Sequence, residues 1–67
     1  MSKELPFLVY CIEEYKEQKA MNGKEVMALF KRHNVCDYIY EQFEILHING
    51  PRYIVEDIDD YIAAQAS

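Results

Sequence analysis

The sequence predicts a mainly α fold: a compact four-helix single domain, residues 1–67, with a small β-hairpin between helices three and four. Three observations lead there. Apolar residues recur at spacings of three and four in several separate segments. Asn22 and Glu25 form the paired start signal of a helix. Two β-favouring runs flank the turn-rich Asn49-Gly50-Pro51-Arg52. Sixty-seven residues support one hydrophobic core and no more.

The first helix is expected over about residues 4–19, capped by Ser2 and tolerant of Pro6 in its first turn. Leu5, Leu8, Val9, Ile12 and Tyr15 share one face, and Phe7, Tyr10 and Cys11 widen the apolar surface beyond a single stripe. That excess predicts a homodimer through Phe7, Tyr10 and Cys11. Helix two begins at Gly23, with Asn22 capping, Glu25 reaching back and Met21 placed to staple onto Val26. Val26, Leu29, Phe30 and His33 follow one face, Lys31 and Arg32 suit the negative end of the dipole, and Asn34 suits a left-handed stop.

Cys36, Ile39, Tyr40 and Phe43 predict a short third helix from Cys36 to Phe43. Ile45 to Ile48 and Tyr53 to Val55 predict the hairpin strands. Ile54, Ile58, Tyr61 and Ile62 fall on one face of a fourth helix from about Glu56 to Ala64. Its carboxylates Glu56, Asp57, Asp59 and Asp60 would then crowd the start, where the dipole favours anions.

Composition narrows the functional classes. With 51% hydrophobic residues, two Gly and two Pro, collagen-like, low-complexity and disordered chains are excluded. The net charge of −5 opposes nucleic acid as a partner. Residues 1–33 hold six Lys and Arg against five Asp and Glu, whereas residues 34–67 hold Arg52 against seven carboxylates, so the second half is an anionic surface, either a solvated face of the kind common in small domains or one that steers a basic partner. The longest apolar run, Leu5 to Ile12, is far shorter than the roughly 20 residues of a membrane helix. A signal peptide's leader and cleavage site are absent from the pattern, which predicts a cytoplasmic protein with Cys11 and Cys36 as reduced thiols.

No catalytic residue, metal ligand or cofactor site is assigned. His33 and Cys36 have a chelate-like spacing, but no Cys-x-x-Cys pair exists and Cys11 sits on an apolar face, so packing explains the thiols better than zinc. A thiol nucleophile at Cys36, served by His33 or His47, needs a water-excluding pocket that so short a chain has little room for. The acidic cluster lacks the Gly and spacing of a calcium loop. A winged-helix-like DNA-binding regulator is the alternative reading, opposed by the outward Asp37, Glu41 and Glu44 of helix three. Six tyrosines exceed what a small core can bury with satisfied hydroxyls, so some reach the surface, and tyrosine is enriched in interfaces. The predicted function is protein binding without catalysis, with Glu56, Asp57, Asp59 and Asp60 steering a partner and Tyr53 and Tyr61 making contact.

Taken together, Phe7-Leu8-Val9-Tyr10-Cys11-Ile12-Glu13, Met21-Asn22-Gly23-Lys24-Glu25-Val26, Leu46-His47 and Tyr53-Ile54-Val55-Glu56-Asp57-Ile58 resemble the bacterial domain-of-unknown-function family 3791. The resemblance spans nearly the whole chain and carries no functional residues. It implies a partner encoded nearby that resembles ADP-ribosyltransferase toxins, hence an antitoxin-like role.

If Cys and His act as packing and dipole residues, a chelator leaves thermal melting unchanged. Stoichiometric zinc in freshly purified protein, with unfolding on chelation, would overturn that assignment.

Overall fold

A computed structural model describes residues 3–65, and its elements are five helices: α1 (Glu4–Lys19), α2 (Gly23–Arg32), α3 (Val35–Glu41), α4 (Phe43–Leu46) and α5 (Pro51–Gln65). Ser2, the expected cap of α1, lies outside the described residues, and Lys3 occupies the cap position without a side-chain bond. At α2 the predicted box is complete: Asn22 Oδ1 accepts from the Glu25 backbone N–H at 2.8 Å, and Glu25 Oε1 accepts from that of Asn22 at 2.9 Å.

α1 packs on α5, α2 and α3, and each element contributes to one core. α1 supplies Leu8, Cys11 and Tyr15; α2 supplies Val26 and Phe30; α3 supplies Val35 and Ile39. α4 places Leu46 there, and α5 adds Ile54, Val55 and Ile58. The Tyr15 and Phe30 rings meet edge to face at 5.2 Å, tying α1 to α2 at the centre. The buried face of α1 is rotated from the expected stripe. Leu8, Cys11 and Tyr15 point inward, while Leu5 and Val9 are 54% and 53% exposed. Several stripes on an apolar helix satisfy the same period, and the neighbouring elements select among them.

The β-hairpin is absent: the described residues contain helices and no strand. Phe43 and Leu46 turn inward three residues apart while Ile45 and Ile48 face outward, a helical order that an alternating strand cannot produce. Asn49 closes this short turn, its Nδ2 donating to the Ile45 carbonyl at 2.8 Å. Pro51 then occupies the first position of α5, where its missing N–H is no loss, and the Ile54 N–H donates to the Gly50 carbonyl at 3.1 Å. Ile54, Val55 and Ile58 are all buried while Glu56 between them is exposed, the order of one helical face. Two strands alone would in any case be marginal. The third helix also divides, at Gln42 (φ −100°, ψ 14°), into α3 and α4. With no hairpin there is no wing, and a winged helix-turn-helix loses its defining element.

An earlier start for α5 changes the meaning of the acidic cluster. The first turn holds no acidic residue, so Glu56, Asp57, Asp59 and Asp60 lie along the helix body, where the dipole no longer accounts for them.

Among the described residues, two non-glycine residues adopt the left-handed conformation, Ala20 (φ 54°) and Asn34 (φ 56°). Asn34 separates α2 from α3 as its residue type favours. Ala20 carries the strain of its Cβ while its N–H bonds the Lys16 carbonyl at the end of α1. Replacing Ala20 by Gly is expected to stabilise the fold by about 0.5 kcal/mol, after allowance for the freer unfolded chain. A melting temperature that falls would show that the turn does not require this conformation.

Candidate functional site

Helical geometry assembles the site on the outer side of α5. Tyr53, Glu56, Asp57, Asp60 and Tyr61 follow one another at spacings of three, one, three and one, which places the first four on the side away from Ile54, Val55 and Ile58 and Tyr61 at the border with the core face. Tyr53, Glu56 and Asp60 are exposed, whereas Asp57 and Tyr61 are half-buried beneath a residue from α3. That residue is Tyr38. Its ring stacks on Tyr61 with centroids 3.9 Å apart and planes 13° from parallel, and its hydroxyl donates to Asp57 Oδ1 at 3.0 Å. Two aromatic side chains and three carboxylates therefore share the stripe, with Tyr38 covering one edge.

Five of the six residues expected to meet a partner are thus brought together. Asp59 is not. It faces α1, where Oδ1 accepts from the Tyr15 hydroxyl at 2.5 Å and Oδ2 meets Lys19 Nζ at 2.7 Å. Its charge is paired with Lys19 at the α1–α5 border, and its removal would leave a nearly buried phenol without its partner. Sequence reasoning missed Tyr38 as a site residue. It was counted among the tyrosines, and nothing in the order of residues reveals that α3 crosses beside the second and third turns of α5.

Burial, with the Asp57 contact next, pushes the Tyr38 phenol up to about 12. The Tyr15 phenol is raised further, first by burial and then by Asp59. Both carboxylates accept a hydrogen bond from a neutral hydroxyl, which phenolate formation would abolish.

The residues expected to self-associate separate in the structure. Cys11 is wholly buried and belongs to the core, so it offers no surface to a second chain. Phe7 is half-buried: it stacks on the partly exposed Tyr10 at 6.1 Å and meets Phe43 edge to face at 5.3 Å. Phe43 in turn stacks on His47, whose Nδ1–H donates to the Phe43 carbonyl at 2.7 Å.

The thiols and imidazoles have structural partners or surroundings. Burial pushes the Cys11 thiol up to about 12, and burial with the Asp37 charge raises that of Cys36, so neither is a thiolate at neutral pH. Cys36 lines a depression of about 380 Å³ between α2 and α3, together with Met27, Phe30 and Lys31. His33 is held at the far end of α5, where the Gln65 Nε2–H donates to its carbonyl at 2.9 Å and its Nδ1 lies 3.2 Å from Gln65 Oε1. Among the described residues no three His, Cys, Asp or Glu side chains gather as a metal ion would need, and no helix is long and apolar enough to cross a membrane.

Fold and site together define a small all-helical domain whose distinctive feature is an aromatic and acidic helix face. Residues 6–65 match the family described as "Protein of unknown function (DUF3791)", and the chain belongs to that family. No curated protein and no solved structure matches it.

The raised phenols contribute stability that is lost at alkaline pH. Tyr38 keeps its proton to about pH 12 when folded, against an ordinary value of 10.0. Over that interval the native state binds more protons than the unfolded state, so stability is fully present below about pH 10 and falls as pH rises toward 12. Phenolate absorbance should show Tyr15 and Tyr38 ionising last and together with unfolding. Free titration of Tyr15 and Tyr38 near pH 10 in the folded protein would contradict the two hydrogen bonds.

Proposed function

We propose that this protein is a binding module without catalysis, and that the outer face of α5 docks a basic segment of a partner protein. The observation that supports this most is the stripe of Tyr53, Glu56, Asp57, Asp60 and Tyr61, whose carboxylates are not explained by a helix start. Lys19 is turned away from the stripe and paired with Asp59, and Arg52 lies one turn before Glu56, so the stripe carries more negative than positive charge. Carboxylates steer and fork a Lys or Arg side chain, while tyrosine faces offer both apolar contact and cation–π attraction. The same charge disfavours nucleic acid. The ADP-ribosyltransferase-like protein implied by the family resemblance is the first partner to test, in an antitoxin-like role.

The double variant Glu56→Gln with Asp60→Asn removes the two exposed charges and leaves the hydrogen-bonded Asp57 and Asp59 in place. Melting should change by less than about 0.5 kcal/mol, as for ordinary surface positions. Association with a captured partner should slow several-fold at low salt and converge with the parent at high salt. An association rate equal to the parent's at every ionic strength would reduce the stripe to a solvated face.

A further inference from the structure

The outer side of α1 carries a second, chemically opposite surface. Between Leu5 and Ile12 the helix has no charged residue, and Leu5, Pro6, Val9 and Tyr10 are all exposed, the first, third and fourth at 54%, 53% and 39%. At 100° per residue these four positions form one continuous stripe, bounded by Lys3 at its start and by Glu13 at its end. A helix that is apolar all round belongs in a buried setting, yet the rest of this chain covers only the side bearing Leu8, Cys11 and Tyr15.

We infer that this stripe is a self-pairing surface, on which α1 of a second copy of this chain packs antiparallel. Charge selects the occupant. Each chain carries −5, so two copies repel except where the local charge is nil, and this stripe lies in the half with nearly balanced charge. The α5 face cannot pair with itself, because its three carboxylates would meet their own kind. The α1 stripe is self-complementary. A two-fold axis near residue 7 sets Leu5 of each chain against Val9 of the other, with the Lys3 of one chain and the Glu13 of the other about 3 Å apart along the axis, within reach of an ion pair at both rims. The contact is small, so pairing is weak and concentration-dependent. It would display two acidic α5 faces on one assembly and raise the avidity for a repeated basic partner.

Sedimentation equilibrium of the full chain, from about 10 µM to about 1 mM, tests this directly, in the concentration range of weak association. The mass should rise from monomer toward dimer across that range. Val9→Glu, at an exposed position, should keep its helical circular dichroism and weaken pairing at least tenfold, whereas Ile48→Glu, exposed on the α4–α5 connection, should leave it within twofold. A chain that stays monomeric throughout, leaving the stripe to a different protein, overturns the inference. So does a dimer that persists in Val9→Glu, or one that Ile48→Glu disperses and Val9→Glu leaves intact.

Discussion

The architecture depends on one buried phenol. Tyr15 is almost wholly enclosed, its ring set against Phe30 of α2 and its hydroxyl bonded to Asp59 of α5. A buried hydroxyl without a partner costs on the order of 1–3 kcal/mol, which is a large share of the stability available to so small a domain. The acceptor lies 44 residues away, so the bond fixes α5 in register against α1. Rotation of α5 by one residue would swing Asp59 through about 100° and lose both the phenol and the Lys19 ion pair.

That register decides what faces outward. With Asp59 turned to α1, and Ile54, Val55 and Ile58 turned to the core, the remaining sector of α5 must carry Tyr53, Glu56, Asp57, Asp60 and Tyr61. Tyr38 then reaches Asp57 from α3 and repeats the same motif: a tyrosine hydroxyl donating to an aspartate of α5. Two such bonds, on opposite flanks of one helix, hold α5 from both sides. Neither aspartate is therefore available at full strength to an incoming cation, and the steering charge falls to Glu56 and Asp60.

Tight connections keep five helices around one core. Left-handed Ala20 and Asn34 reverse the chain in very few residues, and Gln42 turns α3 into α4 without a loop. A short α4 can hold its place because Phe43 meets Phe7 and Leu46 is wholly buried, which substitutes tertiary packing for the helical propensity that a four-residue helix lacks. The outward sides of α1 and α5 differ sharply in chemistry. One is apolar and uncharged, the other is aromatic and acidic.

Local signals in the sequence determined the bounds of α1, the capping box and start of α2, the left-handed Asn34 and the absence of a membrane-length apolar helix among the described residues. Each of these rests on contacts within a few residues, which the order of side chains alone specifies. Glu56, Asp57 and Asp60 were legible as one acidic cluster of the last helix, whereas Tyr53 was expected in a strand and Tyr61 on the apolar face with Ile54 and Ile58. Tertiary structure alone decided the rest. Ile45 to Ile48 and Tyr53 to Val55 have side chains that suit strands equally well, and only the inward demand on Phe43, Leu46, Ile54 and Val55 made both segments helical. The same demand rotated α1 to bury Cys11 and expose Leu5 and Val9, moved the start of α5 back to Pro51, and turned Asp59 toward Tyr15 and Lys19. A short apolar run carries no record of which side its neighbours will cover, since that is set by residues distant in the chain.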